Sequence, residues 1–208
     1  MQQMAISTKK IARKAQIQAK ATSLFREKGY NASSMRHLAE HMGMEAASLY
    51  NHISSKQELL REICFSIADG FVKQLDELEA SAFSEVEKVD QIIRFHISMM
   101  LEQFEKMYVS NRDWKHLKEP QLTEYLLQRR NYEKRFSAII ENGIEKGFFA
   151  ERNTYVAVLT ILSAVRGIEF WHKSMKKVSA QQLENDLTAM LMAGLVKTSC
   201  HEPAKGNV

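Results

Sequence analysis

Proline and cysteine are nearly missing from this 208-residue chain, which has two of each. With eight glycines and no run of alternating β-branched residues, little interrupts a helix and nothing favours a sheet. Abundant Ala, Leu, Glu, Lys, Gln and Met complete the case for an all-α fold. Cys64 and Cys200 stand too far apart to read as a disulfide framework or a metal motif, so a reducing, cytoplasmic setting is expected. The first residues are polar and basic without an apolar core, and no signal peptide is expected. The longest largely apolar stretch, Tyr155 to Val165, is broken by Thr160 and Ser163 and reads as too short to span a bilayer. No membrane partner is expected.

Enzymatic signatures are missing too. There is no glycine loop to cradle phosphate, no metal-ligand spacing and no nucleophile elbow, so no catalysis, cofactor or metal is expected. His96, His116 and His172 are scattered near aromatic residues and read as core or surface histidines. The length accommodates one large domain or two modest ones.

Acid is absent from one place. Residues 1–26 hold six Lys or Arg (Lys9, Lys10, Arg13, Lys14, Lys20, Arg26) and no Asp or Glu. Residues 1–60 carry nine basic and four acidic residues, leaving 20 and 21 for the remainder. The formal net charge of +4 is therefore concentrated at the N-terminal end. Such asymmetry implies a polyanionic partner, bound with the salt sensitivity that counterion release confers.

Beside that charge lies Ser33 to Lys56, SSMRHLAEHMGMEAASLYNHISSK. Met35, Leu38, Ala39 and Met42 share one helical face, and Gly43 supplies a tight turn. The next phrase, Glu45 to His52, has Leu49 and Ile53 as inward anchors and is too short to be stable alone. Its outer face is small and polar: Ala46, Ala47, Ser48, Asn51. Two short helices about a glycine form either an ordinary helical hairpin or a helix-turn-helix whose second helix enters the major groove. On the second reading Ser48 and Asn51 face base edges, Asn suiting adenine and Ala46 or Ala47 a thymine methyl. Glu45 either accepts from cytosine or favours the helix N-terminus. Ser33 or Ser34 caps the first helix, whose N-terminus can also receive a phosphate.

The run Ile17, Ala21, Leu24, Phe25, Glu27, Lys28, Gly29, Tyr30, Ser33, Ser34, Arg36, Leu38, Ala39, Gly43, Ser48, Leu49, Tyr50, His52 and Lys56 resembles the TetR family of bacterial transcriptional repressors. The resemblance implies a three-helix DNA-binding domain followed by a helical ligand-binding and dimerisation domain, about nine helices in all. The expected divisions are 1–55, a connecting helix over 56–79, the second domain over 80–200 and a tail over 201–208. It also implies phosphate contacts from Ser33, Tyr50, His52 and Lys56, with Ser34 and Arg36 beside them. Ala46 and Ala47 replace the family's frequent Lys and Gly, and Ile53 its Phe, so base contacts do not carry over there. A dimer would read a palindromic double-stranded DNA operator with half-sites about 34 Å or more apart.

Further along, Ser55–Glu58 and Ser84–Glu87 read as capping boxes. The first opens a helix to about Glu79 along Leu59, Leu60, Ile63, Ile67, Phe71 and Leu75. The second opens one from Val89 to Phe104 that is apolar on two sides. Residues 107–118 are the least regular. Pro120 permits a new helix through Ile144, which Gly143 and Gly147 fray, and final helices follow from Asn153 to Ser174 and after Ser179. Both show apolar surface on more than one side, which a twofold partner would cover, giving a homodimer. Met99, Met100, Phe104, Trp114, Tyr132, Phe136 and Phe170 are pocket candidates, although such stripes also build cores. Arg166 either pairs with an acid, Glu169 or one across the dimer, or holds a ligand's carboxylate or phosphate. The segment RRNYEKRFSAIIENGIEKGFF resembles TetR-type regulators that sense fatty acyl-coenzyme A or related lipophilic acids, which implies a largely apolar effector. The alternative is an architectural DNA binder without one.

Overall fold

The computed structural model describes residues 2–171 and 178–197, with side chains from residue 11 onward. His172, Cys200, the expected helix end at Ser174 and the tail over 201–208 lie outside the described residues. Among those described, the fold is all-helical without strands, and nine helices exceed four residues. In order they are α1 (Gln2–Lys28), α2 (Met35–His41), α3 (Ala46–Tyr50), α4 (Lys56–Glu79), α5 (Glu85–Glu102), α6 (Phe104–Asp113), a 3-10 turn (Trp114–His116), α7 (Gln121–Glu145), α8 (Thr154–Arg166), a four-residue α9 (Ile168–Trp171) and α10 (Ala180–Ala193).

The chain forms two compact units, cut differently from the linear division drawn from the sequence. The first comprises residues up to Gln74 together with Met99–Tyr132. Its core gathers Ile17, Ala21, Leu24 and Phe25 of α1 with Leu38, Leu49, Ile53, Leu59, Leu60 and Ile63. Val109, Leu117 and Tyr125 complete that core. Residues 107–118, read as irregular, are helical up to Asp113. Met107, Val109 and Ser110 are buried there, and packing of α6 with α1 overrides the polar composition of the segment.

The second unit comprises Leu75–Ser98 and the described residues from Glu133 on. The Ser84–Glu87 box closes as read: the Ser84 N–H donates to Glu87 Oε2 at 2.8 Å, and the Glu87 N–H donates to Ser84 Oγ at 3.3 Å. Arg94 bridges Asp90 (2.7 Å) and Glu184 (3.1 Å), joining α5 to α10. Arg135 forks onto Asp76 and Glu79, both at 2.6 Å. Gly143 does not fray α7: it is buried in the helix, where a Cβ would collide with the Phe149 ring. Gly147, at φ +78°, is the residue that ends the run. The last long helix breaks at Gly167 rather than continuing unbroken.

The apolar path Thr154–Trp171 is longer than its sequence suggested. It spans 18 residues at mean hydropathy 1.3 and is long and apolar enough, by length and composition, to cross a bilayer. Arg166 and Glu169 lie within it, and Tyr155, Val156 and Leu159 are exposed along it.

Candidate nucleic-acid interface

Three local devices hold the α2–α3 pair. Ser34, not Ser33, caps α2, its Oγ accepting from the His37 N–H at 3.1 Å. Gly43, at φ +62°, makes the turn that a side chain would strain. Leu49 and Ile53 are buried to within 1% and pin α3 against the first unit's core. The short helix is thus held by tertiary anchors rather than by its own hydrogen bonds.

That anchoring fixes what faces outward. Ala47, Ser48, Tyr50 and Asn51 are exposed, whereas Ala46 is half-buried against the core, so of the two alanines only Ala47 is presented outward. Glu45 is exposed and makes no side-chain cap bond, which leaves its carboxylate open to a base edge. Arg36 is exposed and pairs only with Glu40 at 3.2 Å, a surface contact of little energetic weight. His52 is half-buried, and its Nδ1 has no hydrogen-bond partner.

Two of the residues from which the resemblance implies phosphate contacts also have partners inside the protein. Ser33 is buried, and its hydroxyl donates inward to the Gly29 carbonyl at 2.7 Å. Lys56 donates from Nζ to the Tyr30 and Ser33 carbonyls, both at 2.8 Å, and lies 4.2 Å above the Tyr30 ring. Burial holds its ammonium below the usual lysine range. Its charge braces the loop before α2.

Sequence reasoning missed the hub of that brace, Tyr30. Its hydroxyl donates to Gln57 Oε1 at 2.6 Å, and Gln57 Nε2 donates to the His116 carbonyl at 2.9 Å. The ring stacks on His116 at 5.4 Å and meets Phe25 edge-on at 5.2 Å. Burial, with the Asp113 carboxylate second, pushes the Tyr30 hydroxyl above its ordinary range and keeps it a donor. No local spacing links residues 30, 57 and 116. Cys64 is buried in the same unit, its thiol pushed up to about 12, and is therefore chemically inert.

The candidate ligand residues do not form one set. Met99, Met100, Phe104, Trp114 and Tyr132 belong to the first unit, and Phe136, Arg166 and Phe170 to the second. Met99, Met100, Tyr132 and Phe136 are buried, Phe104 and Trp114 half-buried. Trp114 carries the Arg129 guanidinium 5.6 Å over its ring. Phe170 is 77% exposed and Arg166 lies on the surface, so neither lines an enclosed pocket within the described chain. Arg166 sits in the last turn of α8, where its cation suits the helix dipole. Its charge, after burial itself, helps push the His96 imidazole down to about 3. A separate groove of about 520 Å³ runs between α8 and α10, lined by Val156, Ala157, Ile161, Met190 and Leu191 among others.

Comparison with known proteins divides the chain linearly instead. Residues 17–63 match the model for bacterial regulatory proteins of the tetR family, and residues 82–195 match the tetracyclin repressor-like C-terminal domain. The HTH-type transcriptional repressor KstR2 of Mycobacterium tuberculosis (strain ATCC 25618 / H37Rv) is 19% identical over 188 residues, 89% of this chain and 94% of that protein. The structure of the M. tuberculosis ketosteroid regulator KstR2 is similar at TM-score 0.83 and 19% identity, over 89% of this chain and 96% of that one. PfmR from Thermus thermophilus is similar at TM-score 0.75 and 26% identity, over 87% and 99%. AibR, in complex with isovaleryl coenzyme A and operator DNA, is similar at TM-score 0.76 and 22% identity, over 86% and 98%.

Proposed function

Because this chain belongs to the TetR family of bacterial transcriptional regulators, DNA-binding proteins rather than enzymes, we propose that it is a ligand-responsive repressor that binds a palindromic operator as a homodimer. The observation that carries the reading is α3: Ala47 and Ser48 exposed on a helix, and Asn51 exposed at its C-cap, with the opposite face locked into a core. The N-terminal excess of positive charge supports the same partner.

Dimerisation runs through α8 and α10. Tyr155, Val156, Leu159 and Met190 are exposed on these helices, and the same surface of a second copy covers them in an isologous contact. The effector is a largely apolar acid carried as its coenzyme A thioester. The resemblance of α7 to acyl-coenzyme A sensors supports this class, as does the isovaleryl coenzyme A that AibR holds. Buried Met99, Met100 and Tyr132 supply adaptable apolar surface for the acyl chain. Release follows if the effector prefers the domain arrangement that does not fit the operator, and is limited by that preference.

The test begins with purified protein and a library of random duplexes at low salt. Bound sequences are enriched, and the winning duplex is titrated in the presence of acyl-coenzyme A thioesters of increasing chain length. A dimer that enriches a palindrome and releases it with one of these ligands is expected. A monomer that enriches nothing would overturn the whole reading. A palindrome held against every thioester would overturn the effector alone.

A further inference from the structure

The cations of α1 divide by what they touch. Lys14 bridges Glu62 and Glu58 on α4, and Arg26 reaches Glu27 and Glu105. Arg13 makes two bonds to neutral acceptors instead: Nη1 donates to Gln16 Oε1 at 3.2 Å, and Nη2 to Met44 Sδ at 3.6 Å. A thioether is a weak acceptor, and a guanidinium carries five N–H groups. Among the described residues, three N–H groups of Arg13 are left without a protein acceptor.

Its position tells which acceptor. Met44 stands two residues before Ala46, the first residue of α3, so the guanidinium is pinned beside the segment that leads into the recognition helix. Gln16, nearly one turn along α1, fixes the other end of the fork. Arg13 is half-buried, and its two contacts aim the guanidinium along the side of α1 that faces Met44. A planar fork held this way matches two oxygens of one phosphate.

We propose that Arg13 is a DNA-backbone contact supplied from outside the helix-turn-helix, gripping a phosphate at the edge of the groove that α3 enters. The inference rests on the DNA-binding function proposed above. A phosphate contact carries no base information, but it sets the register and depth at which Ala47, Ser48 and Asn51 meet the bases. Arg13 adds to the contacts drawn from the sequence, all of which lie within residues 33–56.

The experiment compares wild type with Arg13→Met, Arg13→Lys and Lys28→Ala on the enriched operator and on a scrambled duplex, at salt concentrations from about 50 to about 200 mM. Arg13→Met keeps an apolar stem beside Met44, and Lys28 is an exposed cation about 22 Å along the same helix. Arg13→Met should weaken both duplexes by a similar factor, about tenfold, and lower the slope of log affinity against log salt by about one. Arg13→Lys should recover much of the slope but not the affinity, and Lys28→Ala should change neither. Circular dichroism and the thermal midpoint should match wild type throughout. Wild-type affinity in Arg13→Met, a loss confined to the operator at unchanged slope, or an equal loss in Lys28→Ala would each overturn the proposal. Wild type binding neither duplex would instead overturn the function on which it rests.

Discussion

Replacing Lys56 by Met separates two roles, bracing the loop before α2 and contacting a phosphate. The methionine keeps the apolar stem and removes the ammonium. Lost with it are two charge-assisted hydrogen bonds of 2.8 Å, to the carbonyls of Tyr30 and Ser33, and a cation 4.2 Å over the Tyr30 ring. Bonds of this kind are worth about 1.5–3 kcal/mol each when buried. Lys56 is only partly buried, and the Tyr30 carbonyl also accepts from the Ser33 N–H at 3.2 Å, so the pair together is nearer to about 2 kcal/mol. The ring contact adds about 0.5 kcal/mol at a partly exposed site. Urea unfolding followed by far-ultraviolet circular dichroism should show a loss of about 2–3 kcal/mol, and the thermal midpoint should fall by about 5–10 °C. Operator affinity should drop with no change in salt slope, because no phosphate contact is removed. A loss under about 0.5 kcal/mol, together with a salt slope lowered by about one, would place the ammonium on DNA and refute the reasoning.

Four further outcomes are expected. His96, pushed down to about 3 from 6.5, keeps its proton less readily folded than unfolded, so its stabilisation is present above 6.5 and is lost as pH falls toward 3. Stability at about pH 5 should lie about 2 kcal/mol below that at about pH 8, and His96→Gln should erase this limb. The decline below 4.5 should remain, since hydrogen bonds from Ser54 and Lys146 hold Glu58 and Glu85 below their ordinary range; its loss in that variant would refute the assignment. Gly143→Ala should destabilise by about 1–3 kcal/mol in urea, because Phe149 is buried and must move; an unchanged midpoint would show that it yields freely. Met190→Glu puts a charge on a side chain that is 72% exposed beside the α8–α10 groove, and light scattering should report a monomer with native helicity. A persistent dimer would move the interface elsewhere. Asn51→Ala should cost about 1–3 kcal/mol on the operator and little on random duplexes, and equal losses on both would remove Asn51 from base readout.

What could be read in advance was local. The face of α2, the glycine turn at residue 43 and the box at Ser84 each depend on residues close to one another in the chain, whereas at Ser55 the Glu58 N–H donates to Ser55 Oγ but the Glu58 carboxylate accepts from Ser54. Leu49 and Ile53 were legible for the same reason, and with them the outward face of α3. What stayed hidden lies where distant residues decide. Ser33 and Ser34 are equivalent as sequence, and only the nearness of the Gly29 carbonyl turns the first inward. Lys56 reads as a surface cation until Tyr30 is placed beneath it. Gly143 reads as a helix breaker until the Phe149 ring arrives from beyond the turn. The polar stretch after Met107 becomes helix because its few buried residues meet α1, which no periodicity within the segment announces.

The discontinuity of the first unit bears on how the protein can be dissected. A gene cut after Glu79 would still encode every base-reading candidate, yet the fragment would lack Val109, Leu117 and Tyr125, which belong to the same buried cluster as Leu24, Phe25 and Ile63. The reading head is consequently not a detachable module. Swapping it between regulators requires carrying residues 99–132 along with it, as one graft made of two lengths of chain.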